Sequence, residues 1–147
     1  MNDLTDKVAE VRRRSGALPD LGAAFYLLAS RAVFALVPYR WIGRWMVSER
    51  DAMAVWSSAE ISAAMTIRRR LAALIQRFPA LGSCVPHAMA ALAMLRRRGI
   101  GADVHFGILR NPPSGLPIEA HVWVTVGDIV VAGESVMSAF VKLTCFA

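Results

Sequence analysis

Arg96-Arg97-Arg98-Gly99 divides this chain of 147 residues into two kinds of sequence. Three cations at the negative end of a helix dipole, followed by the residue that tolerates a left-handed backbone, make a strong helix stop. Upstream, apolar residues recur at helical spacing. Downstream they alternate: Val104, Phe106 and Ile108 take every second position, as do Val122, Val124 and Val126. That is the period of a half-buried strand. Helices followed by a small antiparallel sheet make an α+β chain, long enough to bury one core. Residues 1–80 read as an N-terminal helical region and residues 81–147 as the part that carries the sheet, both within one compact unit.

The helical half is rich in apolar residues. Leu4, Val8 and Val11 keep helical spacing up to Arg12-Arg13-Arg14 and Ser15-Gly16. Pro19-Asp20 then opens a helix over Leu21–Val37 that is apolar on almost every side and closed by Pro38. Its 17 residues fall short of the ~20 that a membrane span needs. Arg31 lies inside it, at an insertion cost of ~2.5–3.5 kcal/mol near mid-span. A buried helix or a docking surface is the expectation, with a membrane-anchored helical protein as the competing reading. Tyr39-Arg40-Trp41-Ile42-Gly43-Arg44-Trp45 is either ordinary helix packing with arginines facing water or an anchor for a membrane surface or partner. Ala52–Phe78 reads as one long helix or two, broken by Phe78-Pro79-Ala80-Leu81-Gly82-Ser83.

With 56% hydrophobic and 19% charged residues, the chain is neither disordered nor fibrous. Its net charge of +6, from 17 Lys and Arg against 11 Asp and Glu, favours anionic neighbours. The Arg triplets fit helix ends and solvated faces, and no nucleic-acid-binding motif accompanies them, so no nucleic acid is expected. Two cysteines, Cys84 and Cys145, are too few for a disulfide scaffold, and the mixed-charge first twenty residues do not read as a secretory signal. A cytoplasmic protein with free thiols is the expectation. No metal-ligand spacing is present, and no cofactor is expected.

Cys84 follows Gly82-Ser83 and immediately precedes a helical pattern over Val85–Arg98, with Pro86 in the first turn. A thiol at a helix N-terminus is driven towards thiolate, and the free N–H groups there can hold an oxyanion. His121 lies on the strand Ala120–Val126, on the mixed face with Trp123 and Thr125. Gly127-Asp128 reads as a two-residue type II′ hairpin joining that strand to Ile129–Ala132. If Val126 pairs with Ile129, an uninterrupted register sets His121 opposite Glu134, with Cα atoms ~4.5 Å apart. A carboxylate there would orient the imidazole and stabilise its cation. Asp128 is the alternative acid, but it sits in the turn, ~20 Å along the strand from His121. Cys84, His121 and Glu134 together supply the nucleophile, base and orienter of a cysteine hydrolase or acyl transferase.

His87 follows Cys84 by one helical turn, within reach of the thiol, and its plainer reading is a first-turn surface residue. His105 shares a strand with Val104 and Phe106 on the opposite face and reads as part of a polar face, with cleft lining as the alternative. Cys145 reads as a small core residue, and Phe140–Phe146 as a last short element. Gln76, the one Gln of the chain, is a candidate second oxyanion donor.

Three blocks carry a family resemblance: Ser83-Cys84-Val85-Pro86-His87-Ala88, Leu95-Arg96-Arg97-Arg98-Gly99-Ile100 and Ala120-His121-Val122-Trp123-Val124. In that order they resemble the transglutaminase-like leader peptidase of lasso-peptide biosynthesis, a stand-alone bacterial cysteine protease. The resemblance covers the chain from the Cys helix through the His strand, and the apolar helix ending at Pro38-Tyr39-Arg40 is similar to that family's front half. It implies a papain/transglutaminase-like core, with a Cys-bearing helix packed on a small antiparallel sheet. It also implies removal of the leader from a ribosomally made precursor peptide, freeing the core for an ATP-dependent cyclase. Cys84 and His121 match the motif. The family's acid is usually Asp, where this chain has Val131-Ala132-Gly133-Glu134, and the position of His87 is more often Arg. The leader is recognised there by a separate leader-binding protein. Residues 21–56 are therefore expected to dock that protein, the cyclase or the inner membrane face.

Overall fold

The computed structural model describes residues 20–47, 55–110, 115, 118–133 and 141–146, with residues 109, 110, 118 and 141–146 described by backbone alone. The patterns at Leu4–Gly16 and Glu134 lie outside the described residues.

Helix α1 spans Leu21–Leu36. The Asp20 carboxylate caps it, accepting from the Ala23 amide at 3.2 Å. It ends one residue sooner than the apolar pattern suggests, because Val37 precedes Pro38 and is driven to extended geometry, with φ −104° and ψ 133°. Helix α2, Tyr39–Met46, buries Ile42 and Met46 and leaves Trp41 and Trp45 exposed. Both pairs have the i, i+4 spacing of one helix face. Helix α3 is a single helix, Ser58–Arg77. Its start is set by a capping box absent from the sequence reading: the Glu60 carboxylate accepts from the Ser57 amide at 2.7 Å, and Ser57 Oγ accepts from the Glu60 amide at 3.3 Å. A short 3₁₀ turn at Pro79–Leu81 leads to helix α4, Cys84–Arg97.

Helix α4 is the centre of the fold. Ala88, Ala91, Leu92 and Leu95 are buried, and so are Met89, Ala90 and Met94. A helix buried on most sides needs cover all round. Helix α1 packs on one flank, α3 on another, and strands β2 and β3 lie beneath. The expected stop holds: the Gly99 amide bonds Arg96 O at 2.9 Å and the Ile100 amide bonds Leu95 O at 3.1 Å, with Gly99 at φ +69°. This paired arrangement closes the helix and buries Ile100.

Four strands follow: β1 Asp103–Arg110, β2 Ile118–Val126, β3 Ile129–Ala132 and β4 Val141–Phe146. They form one antiparallel sheet in the order β3-β2-β1-β4. Val104, Val122, Val124 and Val126 are buried and join Ile67, Leu71 and Leu95 in the core, as the alternation requires. The architecture is the α+β one anticipated, with helices before the sheet. Gly127 opens the β2–β3 hairpin at φ +58°. Val126 faces Ile129 and Thr125 faces Val130, but a bulge then sets Val124 opposite Ala132. The uninterrupted register that set Glu134 against His121 is therefore not kept. Among the described residues no helix is long and apolar enough to cross a membrane.

Candidate active site

Cys84 is the first residue of α4, with Ser83 as its cap. The Ser83 side chain makes no capping bond, so the first-turn amides keep the unsatisfied donors of a helix N-terminus. Strands β2 and β3 pack against α4. The result is a cavity of about 260 Å³ whose lining includes Cys84, His87, His121, Gln76, Arg68 and Gly133. The thiol and the strand-borne imidazole, 37 residues apart in sequence, thus meet in one cleft.

His121 Nε2 lies 2.9 Å from the Gly133 carbonyl oxygen. A carbonyl only accepts, so Nε2 is the donor in this bond. Gly133 is suited to this contact in two ways. Its φ is +87°, and a Cβ there would lie 2.6 Å from Val122 O and 2.7 Å from Trp123 Cβ. Only glycine lets the β3 end press this closely on β2.

His87 corrects the surface reading. Its ring lines the cavity, and its Nε2 is buried with no hydrogen-bond partner. Burial, and secondarily the charge of His121, lower its pKa from 6.5 to about 4. The signal was present in the sequence: three residues on from Cys84 is the same helix face. His105 does not line the cavity. It is buried, bonds Thr125 Oγ1 through Nε2 at 2.8 Å and stacks on Trp123. Asp128 is exposed in the hairpin turn, as expected of a turn residue. Cys145 stands on β4 opposite His105. Gln76 reaches the cavity rim from the last turns of α3. Glu134 lies outside the described residues.

Such a site can present a thiol at a helix N-terminus, exchange its proton with an imidazole held by a backbone carbonyl and hold an oxyanion on first-turn amides. No curated protein and no solved structure gives a significant match to the chain. The family model of the transglutaminase-like superfamily matches residues 27–145. Domains of this superfamily are commonly cysteine peptidases or acyl transferases. With the Cys-bearing helix, the His-bearing strand and most of the chain inside that match, the protein belongs to the transglutaminase-like superfamily.

Proposed function

We propose that this protein is a cysteine peptidase that removes the leader from a ribosomally synthesised lasso precursor peptide. The observation that carries the reading is the shared cavity of Cys84 and His121, with the His121 Nε2 proton engaged by the Gly133 carbonyl. In this reading His121 Nδ1 takes the Cys84 proton, and the thiolate attacks the carbonyl at the leader–core junction. The Cys84 amide, with Gln76 at the rim, holds the oxyanion. The imidazolium protonates the leaving core amine, leaving the leader as a thioester on Cys84. Water, deprotonated by His121, hydrolyses the thioester and restores the thiol. Glu134, the residue after Gly133, is the proposed acid that stabilises the imidazolium.

The proposed partner is a separate leader-binding protein, docked on the front helices. A groove of about 450 Å³ between α1 and α2 is lined by Phe25, Trp41, Trp45 and Met89, among others. Phe25 is 67% exposed and Trp41 54%. The charged residues between Leu21 and Met46 are Arg31, Arg40 and Arg44, all cationic. An apolar groove with a cationic rim suits an apolar, acidic segment of a partner.

The test is to incubate wild type and Cys84→Ala with a precursor peptide and its leader-binding protein, read by mass spectrometry. Free leader is expected from wild type alone, and cleavage by Cys84→Ala would end the proposal. Transfer of the leader to an added amine in preference to water would make the protein an acyl transferase. Failure of Cys84 to alkylate faster than a free thiol would make it a binding module. A Phe25→Ser/Trp41→Ser variant is expected to cleave only at raised partner concentration. Unchanged co-elution with the leader-binding protein would remove the groove from the account.

A further inference from the structure

His105 and Trp123 face each other across β1 and β2, and both are almost fully buried, at 7% and 5% exposure. A buried imidazole needs a hydrogen-bond partner, and His105 Nε2 has Thr125 Oγ1 at 2.8 Å. This anchors the ring over Trp123, with centroids 5.4 Å apart and planes within 24°. Two residues along β2, on the same strand face, His121 stacks on the same Trp123, with centroids 6.2 Å apart and planes within 25°. The indole therefore contacts two imidazoles, one anchored away from the cleft and one lining it.

Gly133, whose carbonyl accepts from His121 Nε2, lies close on β2 at Trp123. The space of a Cβ at Gly133 is filled by Trp123 Cβ and Cα, at 2.7 and 2.9 Å, and by Val122 O at 2.6 Å. Those are main-chain and Cβ atoms, so the β2 backbone seats the carbonyl that bonds His121 Nε2 at 2.9 Å, and the indole sets the plane of the imidazole. We propose that His105 and Trp123 are positioning residues for His121, with His105 holding Trp123 and Trp123 holding the ring. The proposal rests on the reading of His121 as the partner of the Cys84 thiol.

A ring free to turn away from Cys84 is a poorer base for its thiol, so Cys84 reacts more slowly with an electrophile at neutral pH. The test follows alkylation of Cys84 by iodoacetamide at pH 7, peptide by peptide, in wild type, His121→Ala, His105→Ala, His105→Phe, Thr125→Val and the double variant His105→Ala/His121→Ala. His121→Ala is expected to slow the reaction, and adding His105→Ala to it to cost nothing more. In His105→Ala alone the rate falls about two- to tenfold, the worth of one aromatic pair. His105→Phe and Thr125→Val both keep a ring in the stack but lose the bond between the two residues, and each slows the reaction by less than His105→Ala. Should His105→Ala fail to fold, the slowing in His105→Phe and Thr125→Val decides. A reaction slowed by His121→Ala but unchanged in folded His105→Ala and in Thr125→Val, or slowed further by His105→Ala in the absence of His121, overturns the positioning role alone. A rate unchanged in His121→Ala overturns the pairing of His121 with Cys84, and the positioning role with it.

Discussion

Lowering the pH from 7 to 5 will destabilise this protein through His87 in particular. Its Nε2 is buried without a partner beside a second imidazole, and its pKa falls from 6.5 to about 4. The unfolded chain therefore binds a proton that the folded chain refuses. Stability is fully present above pH 6.5 and is lost as the pH falls from there towards 4. At about 1.4 kcal/mol per pH unit, the whole displacement costs about 3 kcal/mol, of which roughly 2 kcal/mol is lost between pH 7 and pH 5. That is a large share of the 5–15 kcal/mol typical of a domain. His87→Leu removes both the titration and the unpaired nitrogen. At pH 7 the variant should equal or exceed wild type in stability, by about 1 kcal/mol. The assay is urea unfolding of both proteins at the two pH values. The difference in slope with pH isolates His87 from carboxylates and other histidines common to both. Equal loss of stability in wild type and His87→Leu would refute the argument from burial.

Gly133→Ala should destabilise by about 3 kcal/mol or more, since it combines a strained positive φ with a clash against Val122 O and Trp123; a melting temperature within a degree or two of wild type would contradict the close β2–β3 approach. Glu134→Gln, at the proposed acid, is expected to lower kcat by up to about 10⁴-fold, while Asp128→Asn, in the exposed turn, leaves kcat unchanged; the reverse ranking in peptide-cleavage kinetics would exchange the two acids. Ser57→Ala removes the side-chain half of the α3 capping box and should lower unfolding free energy by about 1 kcal/mol, read in urea, with activity retained.

Much of the fold was legible because its strongest signals are local. The Arg96–Gly99 stop, the β2–β3 turn and the alternation of Val122, Val124 and Val126 each depend on a few adjacent residues, and each stands as expected. The placement of Cys84 followed from the same local logic, since Ser83 and Pro86 mark the helix start. The errors arose where tertiary contact decides. The sequence puts His87 on the helix face of Cys84, but its burial depends on the packing of β2 and β3 against α4. The bulge in β2–β3 has no marker in the alternation, yet it breaks the register argument for Glu134. The partner that the structure gives His121 is a backbone carbonyl, a group every residue carries, so composition could not single it out. The positive φ of Gly133 and its contact with Trp123 are what make that carbonyl reachable.

The proposed reaction requires Cys84 to carry the acyl group. Its most direct test is acid-quenched mass spectrometry of the protein early in its reaction with a precursor peptide and the leader-binding partner. A leader-mass adduct is expected on the Cys84 peptide, labile to hydroxylamine and absent from Cys84→Ala. Leader release with no adduct on Cys84, continuing in Cys84→Ala, would contradict it.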